Sequence, residues 1–197
     1  MTSQEVGSGR RHGPARARIL DAAAQRFYAD GIAATGIDAI TASAGVAKMS
    51  LYNNFASKAA LVEAYINQRH EEWLDLYRVR ITDSATAQEQ VLAVFDAYID
   101  HAAAAYDQGF RGCGLLNAAA ELAADDPGRI AVRRHKEEVE RILLEQLTAL
   151  TDTAAAGRLA EHLSFLLEGA MARAGLDGES TRLHHARAIA AQMLTAL

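Results

Sequence analysis

The segment GIAATGIDAITASAGVAKMSLYNNFASKAAL, residues 31–61, decides the fold. Thr35 followed three residues later by Asp38 resembles a capping box with the shorter acid, and it opens a short helix through Ile37, Ile40 and Ala44. Gly45 ends that helix. After a turn of only a few residues, Val46 to Phe55 reads as a second helix with Val46, Leu51 and Phe55 inward. Two short helices joined by so tight a glycine turn make a helix-turn-helix.

On the amino-terminal side, Ile19, Leu20, Ala23, Ala24 and Phe27 recur at three and four, so a helix is expected from Pro14 to Asp30 with Gly31 as its stop. Residues 1–13 are polar and carry Arg10 and Arg11, which reads as a flexible basic arm. On the carboxyl side, Ser57 can cap a helix to about Arg80, with Leu61, Tyr65, Trp73, Leu74 and Tyr77 inward. Further helices are expected from Ser84 to Tyr106, over 115–124, from Pro127 to Leu150, from Thr153 to Ala174 with Gly175 as the stop, and from Ser180 to Leu197. The glycines of 109–114 make that stretch a loop or helix start. The expectation is an all-α chain of about nine helices: an arm (1–13), a three-helix head (14–60) and a helical body (61–197).

Composition agrees. Of 197 residues 43 are alanine and 2 proline, and aromatics make up 6%, a balance that favours helix over sheet. A single cysteine, Cys113, excludes an intramolecular disulfide and any paired-cysteine metal site. No apolar run is long enough to span a membrane, and the amino terminus has no apolar signal core, so a cytoplasmic protein is expected. The net charge of −5 hides an asymmetry. Residues 1–60 hold seven Lys/Arg against four acids, while the remainder hold 13 against 21, which sets a basic head on an acidic body.

In the order and spacing of Gly31, Thr35, Ile37, Ile40, Ala44, Gly45, Val46, Lys48, Leu51, Tyr52, Phe55, Ser57, Lys58 and Leu61, residues 31–61 resemble the DNA-binding segment of the TetR family of transcriptional regulators. The resemblance implies that the second short helix enters the major groove of an operator. Tyr52 and Lys58 would hold phosphates, as would the amino end of the preceding helix at Thr35 and Gly36, and Arg16 would join them. Base reading would fall to Lys48, Met49, Ser50 and Asn53, with Asn54 beside them, since Asn addresses adenine, Lys guanine and an apolar tip the thymine methyl. Each has a plainer alternative: Tyr52 as packed aromatic, the lysines as solvated charges, the asparagines as caps. The chain departs from the family pattern at Thr41, Ala47, Met49 and Asn54, and Ala47 leaves the second helix without a capping side chain.

The resemblance also implies that the body binds a small-molecule effector and dimerises. Candidate walls of a pocket are Trp73, Tyr77, Phe95, Tyr98 and Phe165, with Cys113, Asn117 and Glu121 as polar or reactive members; the alternative is that the aromatics are core and Glu121 a solvated or capping acid. Leu159, Leu163, Leu166 and Ala170, then Leu183, Ala186, Ala190, Met193 and Leu197, form two apolar stripes suited to a four-helix dimer interface, unless both pack within one chain. No catalytic spacing, metal-ligand pattern or cofactor motif stands out. The expected function is a homodimeric, ligand-responsive repressor of a palindromic operator; the rivals are a helical interaction protein without DNA binding and an all-helical enzyme built around Glu121 and the histidines.

Overall fold

Local sequence signals set most helix boundaries. A computed structural model of the chain describes residues 13–103 and 109–197, so the expected arm, apart from Gly13, and Tyr106 lie outside the described residues. Among the described residues run nine α-helices and no strand: α1 (Pro14–Asp30), α2 (Ile37–Ala44), α3 (Lys48–Asn54), α4 (Lys58–Thr82), α5 (Ala87–Ala103), α6 (Gly114–Ala120), α7 (Pro127–Leu147), α8 (Thr153–Asp177) and α9 (Thr181–Thr195). The Ser57 hydroxyl accepts from the Ala60 N–H, as expected, and Asp126 from Gly128 and Asp152 from Ala154 and Ala155 cap α7 and α8 in the same way. Ser180 makes no side-chain cap.

Two expectations are corrected. Thr35 does not cap α2: it is 2% exposed, and its hydroxyl donates to the Gly31 carbonyl at 2.6 Å, closing the turn from α1. Gly36 takes the cap position and has no side chain to offer. Gly175 does not stop α8. The helix runs on to Gly178, whose φ of 76° is the left-handed conformation a terminating glycine supplies. Gly175 is needed for a close approach instead, because a Cβ there would lie 2.6 Å from the Gly112 Cα.

α1 packs on α2, α3, α4 and α6, while α4, α5, α7, α8 and α9 build the body. Fully buried Ile19, Ala23, Ile40, Leu51 and Leu61 tie the three short helices to the start of α4. The body core is drawn from Val91, Val94, Phe95, Val139, Leu143, Leu163 and Leu167. The expected dimer stripe is largely consumed there. Leu159, Leu163, Leu183, Ala186 and Ala190 are buried within the chain's own core, and Leu166, Ala170 and Met193 pack half-buried against it. Helix periodicity reports an apolar face without saying which neighbour covers it. The large apolar side chains left exposed from α8 onward are Phe165, at 64%, and Leu176 on α8, Ile189 on α9 and Leu197 just beyond it. Among the described residues no helix is long and apolar enough to cross a membrane.

A polar group sits inside the body. Trp73 and Tyr77 of α4 stack with ring centroids 5.7 Å apart, and Trp73 also meets Tyr98 of α5 and His135 of α7. His135 Nδ1 lies 2.9 Å from His70 Nδ1. Burial, aided by the neighbouring Lys136 charge and by His70 and His101, pushes His135 down to about 2. Burial, with Arg69 and Lys136, pushes His101 to about 4. Both imidazoles therefore stay neutral in the folded chain below the ordinary histidine value of about 6.5, where the unfolded chain takes up protons. Stability is expected to fall as pH drops from about 6.5 toward about 4, each histidine contributing up to about 1.4 kcal/mol per pH unit. Urea unfolding at a series of pH values checks this: His135→Asn should roughly halve the histidine part of the acid slope, and an unchanged slope would contradict it.

Candidate nucleic-acid interface

The sharp turn between α2 and α3 depends on Gly45, at φ 61° and ψ 42°, which an L side chain adopts only with strain. The Val46 N–H donates to the Thr41 carbonyl at 3.1 Å and fixes the crossing. Thr41, at the position where the family pattern favours alanine, is buried, and its hydroxyl donates to the Asp38 carbonyl at 3.1 Å. Leu51 anchors α3 from beneath and is fully buried. The opposite face points outward with Met49, 70% exposed, and Asn53, while Tyr52, 44% exposed, and Lys48 are exposed on the flanks. Ala47 caps α3 without a side-chain bond.

The predicted contact residues differ in how free they are. Lys48 forms an ion pair with Asp38 at 2.8 Å, and the hydrogen bond and charge of Asp38 raise its pKa, so it stays protonated. Ser50 is half-buried, and its carbonyl accepts from Asn54 Nδ2 at 2.8 Å, so the Asn54 amide is engaged within its own helix. The Arg16 guanidinium stacks over the Phe55 ring at 4.6 Å. Lys58 Nζ donates to the Ile32 carbonyl at 2.5 Å. The buried Thr35 side chain offers nothing to a phosphate, which leaves the role of the α2 amino end to backbone N–H groups near Gly36.

The pocket expectation divides in two. Trp73, Tyr77, Phe95 and Tyr98 are buried together, and Cys113 joins them through Lys136, whose Nζ lies 3.6 Å from its Sγ, 3.3 Å from the Tyr98 hydroxyl and 2.7 Å from Glu168 Oε1. Burial opposes the charge on Lys136, but Tyr98, Cys113 and Glu168 outweigh it and raise its pKa. Trp73 Nε1 and the Tyr77 hydroxyl are buried with no hydrogen-bond partner among the described residues. Phe165 is on the surface, and Asn117 donates to the Arg111 carbonyl at 3.2 Å, so neither is part of this cluster. His135, Lys136 and Glu168 were not expected there. The available signal was the position of His135 in the apolar stripe Val132, His135, Val139, Ile142.

Glu121 is elsewhere too. Its carboxylate accepts from the N–H groups of Ile32 at 2.9 Å and Ala33 at 2.7 Å, in the loop between α1 and α2. The preceding loop grips the same region. The Tyr28 hydroxyl donates to the Gly112 carbonyl at 3.1 Å and accepts from the Arg111 N–H, while the Arg111 guanidinium donates to the carbonyls of Tyr28 and Ala29. Gly31 leaves room for the clamp, since a Cβ there would lie 2.8 Å from Glu121 Oε1.

A helix-turn-helix presented by α1–α3 on an all-α body defines a DNA-binding regulator. Residues 19–65 match the family described as bacterial regulatory proteins, tetR family. The chain is 32% identical to SCO4454, a TetR-family transcriptional regulator from Streptomyces coelicolor, over 92% of this chain and 96% of that one, with a TM-score of 0.82. It is 41% identical over 56 residues to the HTH-type transcriptional regulator TtgR of Pseudomonas putida, which is 28% of this chain and 27% of that protein. It is 38% identical over 65 residues to the HTH-type transcriptional regulator UidR of Escherichia coli K12, 33% of each chain. The match thus spans about a third or less of these two curated regulators. The chain belongs to the TetR family of transcriptional regulators, and that membership sets the enzyme reading aside.

Proposed function

We propose that the protein is a homodimeric repressor that leaves a palindromic operator when a small molecule binds its body. The observation that carries this reading is the clamp: Arg111, Gly112 and Glu121 hold the end of α1 and the following loop by backbone and side-chain hydrogen bonds. A rearrangement of the 111–121 segment therefore has a direct mechanical path to the head. The interior cluster of Trp73, Tyr77, Tyr98, His135, Lys136 and Cys113 adjoins that segment through the Lys136–Cys113 contact and supplies two buried polar groups without a hydrogen-bond partner among the described residues. Such a site suits a compact ligand with hydrogen-bonding groups.

In this reading residues 14–60 are the DNA-binding unit and 61–197 the sensing and dimerising unit. Tyr52, Lys58 and Arg16 lie on phosphates, and Lys48, Met49, Ser50 and Asn53 read bases. The dimer forms through the exposed side chains of α8, α9 and the residues after α9, with Phe165, Ile189 and Leu197 as its apolar contacts. Paired recognition helices then address two major grooves about one helical turn apart.

Enrichment of bound duplexes from randomised DNA tests the reading. The expected outcome is an inverted repeat protected by two chains, and enrichment of no sequence, or of a single unrepeated site, contradicts it. An effector found by screening must weaken operator binding by the factor by which operator weakens effector binding.

A further inference from the structure

Lys58 and Glu121 do not touch, yet they hold opposite ends of one peptide group. The Ile32 carbonyl accepts from Lys58 Nζ at 2.5 Å, and the N–H of the same peptide, on Ala33, donates to Glu121 Oε2 at 2.7 Å. Glu121 Oε1 secures the preceding peptide through the Ile32 N–H. We propose that Glu121 is a positioning residue for DNA binding, which fixes the Lys58 ammonium for its phosphate through the Ile32–Ala33 peptide. The inference rests on the reading of Lys58 as a phosphate donor.

The physical argument is polarisation and preorganisation. A carboxylate on the N–H side draws charge through the amide and makes its carbonyl a stronger acceptor, so hydrogen bonds in such a chain reinforce one another. A lysine side chain free to rotate loses rotamer entropy when it is fixed. Lys58 is already held by one of its three N–H donors, and the other two remain for an oxyanion. The ammonium is thus ordered before DNA arrives. Because Glu121 stands at the end of α6 in the body, the body sets the pose of a cation in the DNA-binding surface through a single peptide.

The sign of the effect separates this role from simple electrostatics. Removing a carboxylate from a protein that binds a polyanion should tighten binding by general charge repulsion. Positioning predicts the opposite. Operator affinity would be measured by fluorescence anisotropy, on the duplex enriched from randomised DNA, for the full chain and for Glu121→Gln, Glu121→Ala, Lys58→Ala and the double variants. Glu121→Gln and Glu121→Ala are expected to weaken binding about fivefold in the Lys58 background and less than twofold in Lys58→Ala, a coupling between residues that share no contact. Equal or tighter binding by the Glu121 variants, or an equal loss in both backgrounds, overturns the proposal. An unchanged affinity in Lys58→Ala alone overturns the phosphate reading itself. Glu121→Gln keeps one carbonyl acceptor at the loop, and melting curves show whether each variant is folded.

Discussion

Alanine at both Lys48 and Tyr52 is expected to lower operator affinity by about a hundredfold or more while leaving thermal unfolding unchanged. The two side chains are exposed on α3 on the flanks of the buried Leu51, and Tyr52 is 44% exposed. A base or phosphate contact of good geometry contributes about 1–3 kcal/mol, and a dimer loses it in both half-sites. Neither side chain fills core space, so the effect belongs to binding. Lys48 gives up its ion pair with Asp38, but both partners are largely exposed, and such pairs contribute little to stability. Anisotropy titrations and melting curves on the same preparations separate the two quantities. Unchanged affinity would remove α3 as the recognition helix.

The second large effect separates core from interface on α8. Leu163→Ala is expected to cost about 3 kcal/mol and to lower the melting temperature by about 6–12 °C, because the side chain is fully buried among the chain's own helices. Phe165→Glu, two residues away on the exposed face, is expected to break the proposed dimer into single chains in sedimentation velocity, with helical content retained. If Phe165→Glu remains paired, the interface lies elsewhere.

The contrast between Leu163 and Phe165 shows what the sequence could and could not reveal. Helix positions follow from local signals: the caps at Ser57, Asp126 and Asp152 and the turn at Gly45 act within a few residues of themselves. The head was legible for the same reason, since its helices pack on segments close in sequence. Glu121 was misplaced because its partners, Ile32 and Ala33, lie 89 and 88 residues away, and a lone acid near the end of a helix carries no mark of that distance. Gly175 looked like a helix stop, though its role is contact with Gly112. The α8 and α9 stripes show where periodicity is ambiguous, since Leu159 and Leu163 are buried in the chain's own core. In the interior cluster Trp73, Tyr77 and Tyr98 were marked by their helical spacing, while Lys136 and Glu168 were not, because an ion pair across the contact of α7 with α8 leaves no local mark in the sequence.

An acidic chain that binds DNA through a small basic head gains its affinity from phosphate contacts, so the decisive titration sets the protein against the enriched duplex, and against a random duplex of equal length, at increasing salt. Log affinity is expected to fall steeply and linearly with log salt, with a slope of about −0.9 for each phosphate neutralised, and the enriched duplex to be preferred throughout. Affinity indifferent to salt, or equal for the two duplexes, would contradict it.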